Sequence, residues 1–95
     1  MKILITESKK LRAINWVCDR FVEHNSDYVK DVDVYDKGYN DNNAYSVRIT
    51  YYNGPDSKFW PLTQSKRNQQ DEIADKLWNE IYNLMKEPIG IYIDR

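Results

Sequence analysis

The 95-residue chain predicts an α+β fold: an antiparallel sheet of three to five strands with two helices packed on one face, in the order (β)αβββαβ. Three observations carry that expectation. Ala44 to Asn53 alternates with a period of two, so Tyr45, Val47, Ile49 and Tyr51 share one side while Ser46, Arg48, Thr50 and Tyr52 share the other. Two segments, Glu7 to Glu23 and Lys66 to Lys86, repeat apolar residues at helical spacing. Composition supplies the third: 41% apolar and 31% charged residues, with eight Tyr, three Trp and two Phe, describe a folded chain rather than a disordered one. The length fits a single α+β domain over residues 1–95.

Taken in order, Lys2 to Ile5 is an apolar run that either forms a short strand or leads into the first helix. Thr6 and Ser8 are candidate N-caps, and Leu11, Ile14, Val17, Cys18, Phe21 and Val22 form the buried stripe. The turn formers Asn25, Ser26 and Asp27 stop that helix. Tyr28 to Tyr35 reads as a half-buried strand with Tyr28, Val32 and Val34 on one side and Val29, Asp31, Asp33 and Tyr35 on the other. The polar stretch 37–43 makes a hairpin loop to the central strand. After the turn Asn53-Gly54-Pro55-Asp56, the segment Ser57 to Leu62 reads as a third strand, placed at an edge or ended by Pro61. Thr63 or Ser65 can cap the second helix, whose stripe is Ile73, Leu77, Ile81 and Leu84, widened by Ala74, Trp78 and Met85. Pro88 ends it, and Ile89, Ile91 and Ile93 then alternate as a last strand. Trp16 and Trp78 fall at the edges of their stripes, so either can belong to the core or to a surface.

The charge balance of -1 and a pI of about 5.8 provide no overall basic field for nucleic acid. Charge is nevertheless uneven. Lys2, Lys9, Lys10 and Arg12 face only Glu7 in the first twelve residues, whereas the stretch 19–41 sets seven carboxylates against three cations. Lone Cys18, on an apolar helix stripe, reads as core filler in a reducing compartment. With no apolar run of membrane-span length, a cytoplasmic location and no membrane partner are expected. Asp31, Asp33, Asp36 and Asp41 lack the spacing of a calcium loop, so no metal is expected. His24 follows a helix, where it interacts with the dipole, and no acid, base and nucleophile are framed by a motif. Neither enzymatic activity nor a cofactor is expected.

The wet side of the sheet is expected to collect Tyr35, Arg48, Thr50, Tyr52, Lys58, Trp60 and Tyr92. Aromatics mixed with cations on an open sheet resemble in kind the stacking platforms of RNA recognition motif domains, although that family's aromatic and glycine motif is absent. Helix, three strands, helix is also the order of double-stranded RNA-binding domains, and Ser65-Lys66-Arg67 falls where their second helix begins. There the resemblance stops, because Asp71, Glu72 and Asp75 follow. The plainer reading is that exposed strands favour Tyr and Trp, or that the sheet pairs with another copy.

The opening Met-Lys-Ile-Leu-Ile-Thr-Glu-Ser resembles the start of many short proteins encoded by tailed bacteriophages. That resemblance implies synthesis in the cytoplasm of an infected bacterium and a host-directed binding role. The expectation is a small interaction module whose contacts with a host or phage protein, or with itself, run through Tyr35, Arg48, Tyr52 and Trp60. The alternative is RNA or single-stranded DNA on the same face, aided by Lys58, Lys66 and Arg67.

Overall fold

The computed structural model describes residues 7–35 and 45–94, and these form two helices and one mixed three-stranded sheet. The elements are α1 (Glu7–His24), β1 (Val29–Tyr35), β2 (Ser46–Tyr51), α2 (Gln64–Met85) and β3 (Gly90–Asp94). The run Lys2 to Ile5, the cap Thr6 and the loop 37–43 lie outside the described residues. In the sheet β2 is central, antiparallel to β1 and parallel to β3.

The core side of the central strand is as expected, although Ser46, expected on the wet side, is buried as well. Tyr45, Val47, Ile49 and Tyr51 are all buried, packed in one core with Ile14, Val17, Cys18 and Phe21 of α1 and Ile73, Leu77 and Ile81 of α2. Each neighbouring strand adds its apolar residues to the same face: Val32 and Val34 pair with Ile49 and Val47 from one side, and Ile91 and Ile93 pair with them from the other. Tyr51 is enclosed although it carries a hydroxyl. A buried phenol needs an acceptor, and the Tyr51 hydroxyl donates to the Gln70 carbonyl of α2.

Three expectations are corrected. Ser57 to Leu62 is not a strand but a chain of turns, with Gly54 at φ +96°, Ser57 N–H donating to the Gly54 carbonyl, and a cis Trp60–Pro61 bond. The cause lies in Phe59, which is buried between Tyr28 and Tyr51 with ring centroids 5.5 and 5.3 Å away. Filling that gap takes the segment out of the sheet. The second correction follows from the first: without a reversing strand, the chain leaves β2 through α2, returns along its length, and enters β3 in the direction of β2. The sheet is therefore mixed, not antiparallel. Thirdly, the register shift between Val29 and Asp31 moves Val29 onto the core face with Val32 and Val34, against simple alternation.

Helix ends follow local chemistry. Thr63 Oγ1 accepts from the Lys66 N–H at 3.3 Å and starts α2. Lys86 adopts the left-handed conformation at φ 56° and donates its N–H to the Tyr82 carbonyl at 2.7 Å, ending the helix two residues before Pro88. Of the expected stripe on α2, Leu84 is exposed and Met85 takes its place in the core. Trp78 is half-buried, stacked on Tyr82 at 5.0 Å, with its indole N–H donating to the Ile89 carbonyl at 2.9 Å.

Leu77 is fully enclosed at the contact of α2 with the sheet face. Leu77→Ala should lower the unfolding free energy by about 2–5 kcal/mol in urea denaturation. Tyr51→Phe, which removes only the hydroxyl, should cost about 1 kcal/mol in the same assay.

Candidate functional site

The four side chains expected at a binding surface divide into two groups. Strand register places Arg48 between Asp33 of β1 and Tyr92 of β3, and Tyr35 opposite Ser46, all on the face away from the helices. Tyr52 and Trp60 stand beyond the end of β2 instead, where Tyr52 N–H donates to the Tyr28 carbonyl at 3.0 Å. Lys58 belongs with them and not with the sheet face, because the segment 57–62 has left the sheet.

The two aromatics come together at that end. Tyr52 is 42% exposed and Trp60 54% exposed, and they line one depression of about 150 Å³ whose other walls include Phe59, Leu62 and Gln70. Alternation of burial makes this arrangement: Phe59 turns inward onto Tyr51, so its neighbour Trp60 turns out. Lys66 secures the turn from α2, its Nζ donating to the Trp60 carbonyl at 2.7 Å. On its other side Tyr52 borders a shallow groove of about 340 Å³ lined by Ser26, Asp27, Asp56, Ser57 and Lys58. The indole and phenol thus present apolar area beside a rim of mixed charge.

The sheet face has a different character. Arg48 approaches Asp33 at 3.5 Å, a loose and partly exposed ion pair. Among the described residues its Nε is enclosed without an acceptor, so the guanidinium offers its outer nitrogens to a partner. Asp31 and Asp94 lie on the same face, opposite Thr50 from the two sides. Among the paired residues of this face, Asp31, Asp33 and Asp94 stand against Arg48, which opposes phosphate. Of the three cations expected to assist nucleic acid, Lys66 is turned onto Trp60, Lys58 shares its groove with Asp27 and Asp56, and Arg67 is exposed on the first turn of α2.

Comparison with protein-family models, with curated proteins and with solved structures found no match. Sequence periodicity missed the exposure of Leu84, left Trp16 open between core and surface, and, while separating inward Phe59 from outward Trp60, placed both on a strand. A usable signal for the last existed in the adjacent Pro61, which cannot donate to a ladder.

Cys18 is 2% exposed and contributes no reactive thiol: burial, with the adjacent Asp19 carboxylate adding to it, pushes the thiol from 9.0 up to about 12. Because the neutral form is favoured in the folded chain, this contribution to stability is whole below pH 9.0 and is lost as pH rises toward about 12. Urea titrations should show an alkaline decline that Cys18→Ala flattens, and a disulfide reagent at neutral pH should label Cys18 only after unfolding.

Proposed function

We propose that the chain is a small non-enzymatic interaction module, a phage-encoded modulator or inhibitor of a host protein, whose principal contact surface is the Tyr52–Trp60 depression. The observation that supports this reading most is the exposure of two large aromatic side chains across one apolar hollow. Rings of this kind bury much area with few rotatable bonds, and their polar atoms still form hydrogen bonds at an interface. The inward anchoring of Tyr51 and Phe59 and the Lys66 contact hold the hollow's walls in place before binding, which reduces the ordering cost of association. Tyr35, Arg48 and Tyr92 form a second, more polar patch on the sheet face that can extend the contact.

The test is capture from lysate of a bacterial host by immobilised protein, compared with Tyr52→Ala and Trp60→Ala. Each substitution should weaken retention of the captured protein by roughly 30-fold or more, the effect of losing about 2 kcal/mol at an anchor. Unfolding midpoints should stay near wild type, since both side chains are exposed. Retention should also survive raised salt. Capture that is nuclease-sensitive and falls steeply with salt would replace this reading with nucleic-acid binding.

A further inference from the structure

The lining of the Tyr52–Trp60 hollow is selective in two respects. None of the residues that line it is charged. Its rim is built from two flat rings, the Tyr52 phenol and the Trp60 indole, above a floor that includes buried Phe59 and half-buried Leu62. Gly54 adds no side chain to the lining, and a Cβ built there would meet nothing within 4 Å, so the hollow stays open on that side. Each rim ring also brings a hydrogen-bond donor, and an indole N–H can only donate. Among the described residues, neither the Trp60 indole N–H nor the Tyr52 hydroxyl is engaged by a hydrogen bond.

We infer that this hollow receives a proline ring from an extended, proline-rich segment of the partner protein; the inference rests on the interaction reading above and names the chemistry of its partner. A pyrrolidine ring is compact, apolar and uncharged, so it packs between two aromatic side chains in an uncharged lining. A segment in the polyproline II conformation makes no internal hydrogen bonds and carries few N–H groups, so it presents carbonyls that need donors. Trp60 and Tyr52 supply them. An amphipathic helix fits less well, because its carbonyls are consumed by its own ladder and its successive anchors need a longer groove than about 150 Å³ provides. An added β-strand would need an open ladder edge, whereas the Tyr52 N–H already donates to the Tyr28 carbonyl and the segment 57–62 is a chain of turns. Stacked bases would bring phosphate toward the neighbouring groove, where Asp27 and Asp56 outnumber Lys58, while Lys66 is held on the Trp60 carbonyl.

The experiment uses the full chain and short labelled peptides with a Pro-x-x-Pro pattern, x being Ala or Leu, beside matched peptides with every Pro replaced by Ala, a Leu-rich helical peptide and oligothymidine. Fluorescence anisotropy should show saturable binding of a proline peptide, at least about tenfold tighter than its Ala counterpart and nearly independent of salt. Amide shift changes should centre on Tyr52, Asn53 and Trp60. Trp60→Ala should lower the affinity at least about tenfold. Tyr52→Phe and Trp60→Phe, which keep a ring and remove a donor, should each lower it about fivefold. Trp16→Ala, on α1, should leave it unchanged. Absence of saturable binding, equal affinity for the Ala peptides, tighter binding of the helical peptide or of oligothymidine, or Phe variants that bind like wild type would each overturn the inference. If the proline peptides fail to bind while lysate capture still depends on Tyr52 and Trp60, this inference falls and the interaction reading stands; capture indifferent to both side chains would overturn both.

Discussion

A phenol enclosed at the end of β2 must find an acceptor, and Tyr51 finds one in the Gln70 carbonyl of α2. The same ring receives Phe59 edge-on, and the Tyr51 backbone lies opposite Val29 in the sheet. One residue therefore joins the central strand, the following turn and the second helix. Leaving that hydroxyl unpaired would cost more than the bond contributes, so the strand end, the turn and α2 are held in one arrangement. The position of Trp60 is a consequence, because Phe59 can enter the core only if its neighbour points away.

The same economy explains why so small a chain displays large apolar side chains. A sheet of three strands with two helices on one face has little interior to share, and the described core is filled from β2, the inner stripes of α1 and α2, and Phe59. Trp16, Trp60 and Leu84 have no room inside. Their exposure falls in two places, Trp60 beside Tyr52 at the end of β2 and Trp16 beside Leu84 across the two helices. The sheet's other side is different again, since Asp33 lies opposite Arg48 there, and Asp31 and Asp94 lie opposite Thr50.

Much of the framework was legible in local pattern. Alternation at Tyr45, Val47, Ile49 and Tyr51 identified the central strand and its buried face, and helical spacing located α1 and α2 to within a few residues. The capping role of Thr63 and the strand after Pro88 were equally readable from short-range chemistry. The candidate site was legible only as a set of residue types. Tyr35, Arg48, Tyr52 and Trp60 were grouped by parity, whereas the structure seats Tyr52 and Trp60 together at a strand end and leaves the others on the open face.

What the sequence by itself determined is the content and periodicity of the elements, because side-chain spacing along a helix or strand is a property of the backbone alone. Tertiary structure decided the direction of β3, the departure of Phe59 and Trp60 from the sheet, and the pairing of Trp16 with Leu84 across two helices. Each of these depends on which distant surface remains to be filled. Phe59 has equal local reason to be a strand residue, and only the gap between Tyr28 and Tyr51 turns it into the plug of the core.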